Sequence, residues 1–219
     1  MDKYFLCLAN SYKHENRCIA GVEVYKTNDG FIMRKDTWNH PIWFRPINKN
    51  TDAGAIPNEE AVKISLFDVV KATMVEGCPD CAQTENHYYD ELIVVGRMSV
   101  TTDLLADVSH TNRRVLLGNV SSFITHDYYL RMNYSIFMIH ATDVSCYLKE
   151  RKGKHPQPRM RFSYKDNKYD FPITDPDFRH QMENDLQKAN SYLNYYLTLS
   201  LSLEFNGQHF KLISGVITE

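Results

Sequence analysis

The sequence predicts a mainly β protein with some helix, arranged as two small barrels in tandem. One observation is a series of short runs in which apolar and polar residues alternate at the period of a strand. A second is an aromatic share of 12%, with 14 Tyr and 11 Phe, which favours strands. The third is their grouping, because each half of the 219 residues holds several short strands and one helix.

Length and composition indicate a globular chain. The 219 residues fit one large domain or two small ones, and 43% apolar with 24% charged residues is near the globular average. No run reaches the roughly 18 apolar residues of a membrane helix, and no secretory leader precedes the first strand. Since the count of five cysteines is odd, we expect a cytoplasmic protein with free thiols and no membrane partner.

The first predicted barrel, residues 1–100, opens with a strand, a charged turn and a second strand. An apolar run over residues 4–9 breaks into a polar segment and resumes over residues 18–24. Polar groups presented between two rigid strands commonly form binding sites. We therefore predict that this segment is one wall of a ligand site. It contains Ser11, Lys13, His14 and Arg17.

Alternation and turn residues predict further short strands in the first barrel. The run at residues 92–95 is apolar throughout, which indicates a buried strand. Pro46 limits its own run to a sheet edge or a strand end. The predicted strands cover residues 31–34, 43–47, 62–66, 69–75 and 92–95.

Helical spacing marks a connector over residues 101–132. Thr101 and its neighbours offer N-cap chemistry, and Gly118 can end the helix. Leucines and valines between them recur at the helical period, at Leu104, Leu105, Val108 and Val115.

The second predicted barrel, residues 133–219, again combines short strands with one helix. Runs at 159–165 and 168–173 alternate on either side of a turn, which is a hairpin signature. Asp175 and Pro176 fit the N-cap and first position of a helix. Five short strands and a helix are the content of an OB-like barrel. The remaining strands are predicted at 134–141, 144–148, 197–203 and 209–217.

The strand at 159–165 carries the clearest candidate surface for a negatively charged ligand. Arg159 and Arg161 point to one side together with Lys165, while Phe162 and Tyr164 point to the other side and into the core. Residues 113–165 carry ten Lys/Arg against three Asp/Glu, which extends the positive potential. The alternative is an edge strand that its charges protect from aggregation.

Other candidate contacts lie elsewhere in the chain. Trp43 and Arg45 share one face of their strand and could stack a base and hold a phosphate, or could simply pack together. Gln83 and Asn86 could make paired hydrogen bonds to a ligand, although the same polar residues would also fit a surface turn. Lys211, in the last strand, is either a ligand contact or an edge lysine that reaches the solvent.

Signals for metal binding and catalysis are weak. Cys78 and Cys81 have zinc-ligand spacing, but no second pair completes a site, so we expect neither metal nor cofactor. Ser11 or Cys18 beside His14 could form a nucleophile pair. No Gly-x-Ser-x-Gly elbow, phosphate-binding Gly-rich loop or His-Glu-x-x-His motif occurs.

Several motifs together resemble the bacterial dual OB-containing domain family. Cys7-Leu8-Ala9-Asn10-Ser11 with the following Arg17-Cys18-Ile19-Ala20-Gly21 is similar to the opening signature of this family. Trp43-Phe44-Arg45-Pro46-Ile47 resembles its Trp-Ile-Arg-Pro-Val strand, and Gln83-x-Glu85-Asn86 its Gln-x-Glu-Asn element. Residues 199–212 resemble its closing hairpin. The resemblance implies tandem OB barrels, a role in nucleic-acid or nucleotide recognition, and no established catalysis.

The sequence thus favours a binding protein for single-stranded nucleic acid or a nucleotide-like ligand. An isoelectric point near 6.5 argues against strong non-specific binding to duplex DNA. Two alternatives stay open, a nucleotide or nucleic-acid hydrolase that uses residues 11–18, and a scaffold whose charge blocks dock a protein partner.

Overall fold

A computed structural model describes residues 2–13, 15–109 and 111–219, and it is mainly β, as predicted. The first half contains β1 (Lys3–Lys13), β2 (Asn16–Thr27), β3 (Gly30–Met33), β4 (Trp43–Ile47), β5 (Asp68–Ala72), β6 (Glu76–Gly77), β7 (Asn86–Tyr88) and β8 (Leu92–Arg97), with the short helix α1 (Asn58–Ala61). The second half contains α2 (Thr102–Ser109), β9 (Phe123–Thr125), α3 (His126–Tyr129), β10 (Ile136–Arg151), β11 (Lys154–Tyr164), β12 (Asn167–Pro172), α4 (Pro176–Asn184), α5 (Leu186–Ala189), β13 (Tyr195–Phe205) and β14 (Gln208–Thr218).

The two halves form two sheets that repeat one strand order. In the first sheet the strands run β3-β2-β1-β5-β8, with β4, β7 and β6 continuing from β2. In the second sheet they run β12-β11-β10-β13-β14, with β9 beyond β14. The run β3-β2-β1-β5-β8 therefore corresponds strand for strand to β12-β11-β10-β13-β14, and each run has the five strands of an OB barrel.

A parallel bridge closes the second barrel. Ile173, just after β12, pairs with Ile213 of β14, and the Thr174 amide donates to the Ile213 carbonyl at 2.8 Å. The helix α4 follows directly, because the Asp175 carboxylate accepts hydrogen bonds from the Asp177 and Phe178 amides. The predicted hairpin of β11 and β12 and the predicted helix start are confirmed.

The opening hairpin is confirmed, but its strands are longer than the sequence suggested. Tyr12 pairs with Arg17, and Lys13 pairs with Asn16, so the ladder continues almost to the turn. The polar segment predicted as a loop therefore consists largely of strand ends. His14 lies outside the described residues.

Two predicted strands of the first half differ from the structure. Residues 62–66 form a turn after α1 and not a strand, because the acidic first turn of α1 favours a helix and Val62 is exposed. Residues 92–95 do form β8, but Val94 and its neighbours are partly exposed. Among the described residues β8 pairs with β5 alone and forms the edge of the sheet, so one side of the strand has no neighbouring strand to cover its side chains.

The predicted helical connector is helical only in part. α2 ends at Ser109, and a 3-10 turn follows at Leu116–Gly118. β9 lies inside the predicted connector yet pairs with β14 of the second sheet. The domain limits 1–100, 101–132 and 133–219 stay a prediction.

The two halves share part of their hydrophobic core. Leu6 and Leu8 of β1 lie in one cluster with Met138, Tyr196 and Ile217 of the second sheet. The Thr198 hydroxyl donates to the Leu8 carbonyl at 2.8 Å. The two halves, called the two units below, are consequently packed directly against each other.

Candidate nucleic-acid interface

The outer face of the second barrel displays the basic strand predicted from the sequence. Alternation places Phe162 and Tyr164 in the core, where both are buried, as predicted. Arg159 and Arg161 lie on the opposite face, and the register places Tyr147 of β10 and Asp170 of β12 beside them. We call this surface, made by Tyr147, Arg159, Arg161, Ser163, Lys168 and Asp170, the basic face.

Asp170 organises the basic face. Its carboxylate accepts hydrogen bonds from Arg159 Nε at 2.7 Å, from the Tyr147 hydroxyl at 2.6 Å and from Arg161 Nε at 3.3 Å. Burial alone would raise the pKa of Asp170, but these donors outweigh it and lower the pKa. Arg159 is consequently held rigidly and is mostly buried, with Nη2 also donating to the Asp170 carbonyl.

Arg161 and Lys168 are the cations of this face that reach the solvent. The Arg161 side chain is 66% exposed, and its guanidinium lies 4.5 Å from the centre of the Tyr147 ring. Lys168 is exposed on β12, opposite Ser163. These groups line a shallow groove of about 630 Å³, whose wall also includes Asp143 and Val120. An exposed guanidinium stacked on an aromatic ring can contact both a phosphate and a base.

The tip of the β10–β11 hairpin extends the positive charge. This hairpin and the groove together carry seven Lys/Arg and three Asp/Glu. In OB folds, the face of strands two and three and the loop between strands one and two bind oligonucleotides. The cations are Lys149, Arg151, Lys152, Lys154, Arg159, Arg161 and Lys168, and the acids are Asp143, Glu150 and Asp170.

The residues of the first hairpin that were predicted as ligand contacts are not part of the basic face, and they contact other groups. Ser11 is buried, and its hydroxyl donates to the Cys18 carbonyl across the strand pair at 3.4 Å. Lys13 donates to the Ala53 carbonyl at 2.5 Å, and burial lowers its pKa. Arg17 is half-buried and donates from Nε to Asn58 Oδ1 at 2.9 Å.

Arg45, Gln83 and Asn86, which the sequence offered as separate ligand contacts, converge inside the protein. Arg45 is 2% exposed and forms an ion pair with Glu85 at 2.8 Å. It also donates to Asn86 Oδ1 at 3.3 Å and to the Ser135 hydroxyl at 3.1 Å. Asn86 in turn donates to Gln83 Oε1 at 2.9 Å. This buried network connects β4 to the second half and offers no open surface to a ligand.

Lys211 is fully buried, so it does not reach the solvent from a sheet edge. Its ammonium group donates to the Leu116 carbonyl at 2.7 Å, and to the carbonyl and side-chain oxygens of Asn119 at 2.5 and 2.8 Å. Burial lowers its pKa to about 7. Lys211 thus holds the 3-10 turn against β14.

Trp43 lies at a cleft between the two units. This cleft has a volume of about 760 Å³, and Trp43 and Lys3 form part of its first wall. Arg113 and Tyr134 lie on the other wall, with the guanidinium 3.3 Å from the ring centre. Lys3 bridges Glu23 at 2.5 Å and His87 Nε2 at 3.1 Å. Sequence reasoning missed Lys3 and Arg113, because no local motif brings them together.

The cysteine pair has no further metal-ligating neighbours among the residues that the structure describes. Cys78 is partly buried and Cys81 is exposed, and within residues 2–13, 15–109 and 111–219 no group of three or more His, Cys, Asp and Glu could hold a metal ion. Burial raises the pKa of Cys78, which disfavours its thiolate. In the same ranges, no helix is long and apolar enough to cross a membrane.

Tyr147 and Lys168 of the basic face were also missed by sequence reasoning. Both lie on strands that the sequence predicted, so the register of β10 and β12 against β11 was the missing information. A sequence shows which residues share a face of one strand, but not which residues lie opposite on the next.

Comparison with known proteins gives one extensive match to a family and weak matches to solved structures. The sequence model of the dual OB-containing domain matches residues 3–216. A murine DNA-binding protein bound to double-stranded DNA matches with 9% identity and a TM-score of 0.31, over 100% of this chain and 98% of that one. A structure described as the molecular basis for abrogation of activation of pro-inflammatory cytokines matches with 8% identity and a TM-score of 0.31. The match covers 100% of this chain and 92% of that one. These scores are too low to carry an argument, and no curated protein matches.

Proposed function

Since the chain belongs to the dual OB-containing domain family, we propose that it binds single-stranded nucleic acid on the basic face of its second barrel. The strand's phosphates contact Arg161, Lys168 and the hairpin cations, and a base stacks on the exposed side of the Tyr147–Arg161 pair. Arg159 is a positioning residue, because Asp170 already occupies its guanidinium.

The observation that carries this proposal is the exposed Arg161–Tyr147 pair on strands one and two of an OB barrel. Stacking of bases on aromatic side chains, combined with a cationic groove, is how OB folds hold single strands without reading their sequence. The face is small and partly neutralised by Asp143 and Asp170. We therefore expect a short strand to bind with modest affinity and marked salt dependence.

The test is a titration of a fluorescent single-stranded oligonucleotide at two salt concentrations. R161A/K168A should weaken binding roughly tenfold or more and lower the salt slope, since about 0.7 is lost per phosphate contact on a single strand. The matched control is R131A/K188A, which removes the same charge from exposed sites outside the face. Equal binding by the two double variants would refute the proposal.

A substitution of Tyr147 tests the contribution of base stacking separately from that of charge. Y147L keeps an apolar side chain but removes the ring, and base stacking on aromatic residues contributes about 1–3 kcal/mol per base. We expect weaker binding with an unchanged salt slope. A variant that binds like the native protein would show that only the cations of the face matter.

A nucleotide-like ligand in the cleft between the units is a second candidate, favoured by the size of this cleft and by Lys3. The Lys3 ammonium has three protons, of which Glu23 and His87 receive two. The third can bind an anionic group, and about 760 Å³ accommodates a nucleotide. Calorimetric titration with AMP and GMP tests this, and heat that persists unchanged in K3M would rule this site out.

A further inference from the structure

Two arginines from different units meet on one tyrosine ring. Arg17 of β2 lies 4.4 Å from the centre of the Tyr12 ring, and Arg179 of α4 lies 5.1 Å from it. The two guanidinium carbons are therefore no further apart than the sum of these distances, about one Debye length at physiological salt. None of these three residues belongs to the basic face or to the cleft.

The arrangement is fixed by backbone contacts between the units. Tyr12 and Arg17 are directly opposite in the β1–β2 ladder. The Tyr12 amide donates to the Thr174 carbonyl at 2.8 Å, just before α4 begins. Asp175 caps α4 and also accepts from the Val216 amide at 2.9 Å, so Arg179 is held at a defined position.

Charge compensation is incomplete in this cluster. Among the residues that the structure describes, no carboxylate lies within 4.0 Å of Arg17 or Arg179. Arg17 uses only Nε, on Asn58, and the Nε of Arg179 is buried without a hydrogen-bond partner. Asp177 and Glu183 border the neighbouring depressions, but neither forms an ion pair with these arginines.

Two guanidinium groups within this distance of each other repel, and an anion that contacts both would relieve the repulsion. A carboxylate has two oxygens and matches a single arginine fork, whereas a phosphate offers enough oxygens to serve two. Beside the ring is a depression of about 390 Å³, lined by Tyr12, Pro176, Arg179, His180 and Glu183. Arg17 lines an adjoining depression of about 130 Å³, and Pro176 borders both. The larger depression has room for a phosphate with part of its ester group.

We propose that Tyr12, Arg17 and Arg179 form a binding site for a phosphate group, which bridges the two units. Arg17 and Arg179 donate to the phosphate oxygens, and Tyr12 holds both guanidiniums in place by stacking. The ligand is a phosphate mono- or diester or free inorganic phosphate. Because the site uses contributions from β2 and α4, bound phosphate stabilises the packing of the first unit on the second.

The experiment follows the Nε–Hε NMR signals of the arginines during titration with inorganic phosphate, with chloride at equal ionic strength as reference. Signals assigned to Arg17 and Arg179 through R17K and R179K should shift and saturate together. At five times the Kd, the melting temperature should rise by about 2–4 °C. R17Q/R179Q should abolish both effects, and R114Q/R131Q, which removes two exposed arginines elsewhere, should retain them.

Separate arms identify the source of the phosphate. An oligonucleotide with a 5′-phosphate and the same oligonucleotide without it are compared in R161A/K168A, where the basic face is impaired. Tighter binding of the phosphorylated strand identifies a monoester, equal binding that depends on Arg17 and Arg179 identifies a diester, and binding of inorganic phosphate alone identifies the free ion. No saturable shift at Arg17 and Arg179 with any of these probes overturns the proposal, even if the basic face binds nucleic acid.

Discussion

At the scale of single residues, Lys211 shows how burial changes the role of a charged side chain. In the sequence it alternates with apolar residues and resembles an edge lysine. In the structure, three oxygens from Leu116 and Asn119 accept hydrogen bonds from its ammonium group. Without this ammonium group, no water would be in place to donate hydrogen bonds to these oxygens. Its role is thus to fix the 3-10 turn to β14.

We predict that K211M destabilises the protein by about 1–3 kcal/mol, because the methionine fills the space but leaves buried carbonyl groups without donors. The pKa of Lys211 is about 7 in the folded protein, below the ordinary value of 10.5, so the unfolded chain binds more protons between these values. Native stability from this group is therefore full above pH 10.5 and decreases as the pH falls towards 7. Urea unfolding at pH 6, 7.5 and 9 should show the cost of K211M largest at pH 9. K188M, at an exposed site, is the control, and a cost that grows toward pH 6 would contradict the assignment.

At the scale of secondary-structure elements, β4 connects the two halves through a buried charge pair. Arg45 contacts Glu85 before β7 and Ser135 before β10, and the Ser135 hydroxyl also donates to Glu85. The sequence indicated Arg45 and Asn86 as separate candidates for ligand contact. It could not show that both are buried, since their burial depends on residues distant in the chain, such as Ser135.

R45M should destabilise the protein by about 3–5 kcal/mol, because Glu85 is left as an unpaired buried carboxylate. The double variant R45M/E85M removes both charges, so it should recover a large part of that loss. Guanidinium unfolding of both single variants, the double variant and the native protein forms the cycle. The matched control is R97M, since Arg97 pairs with Asp68 but its side chain is 59% exposed. A double variant less stable than R45M would show that the network contributes more than charge compensation.

At the scale of the whole molecule, the units approach each other so closely that one position accepts only glycine. A Cβ atom at Gly215 of β14 would lie 2.3 Å from the Leu8 carbonyl oxygen of β1. This contact lies beside the hydrogen bond from Thr198 to the same oxygen. The glycine therefore permits direct packing of the second barrel on the first.

G215A should separate the units locally and cost at least about 2 kcal/mol, because the clash is with backbone that cannot rotate away. G77A is the matched control, since no atom lies within 4 Å of a Cβ there. Hydrogen exchange measures where the loss occurs. The Tyr12 amide donates to the Thr174 carbonyl of the other unit and should exchange faster in G215A. Unchanged protection of this amide would contradict a local separation of the two units.

The sequence alone determined the β class, the tandem arrangement and the basic strand of this protein. These follow from local alternation, from the spacing of turn residues and from motifs that span nearly the whole chain, so no knowledge of distant contacts was needed. The hairpin of β11 and β12 and the cap at Asp175 were predictable for the same reason.

The tertiary structure alone decided which polar residues remain accessible. Arg45, Gln83, Asn86 and Lys211 are all polar in sequence, yet each is buried by elements distant in the chain. Conversely, Arg179 becomes part of the proposed phosphate site only because α4 packs beside Tyr12 and Arg17. Burial and strand register are long-range properties, and a single sequence records them only where the local period reveals a face.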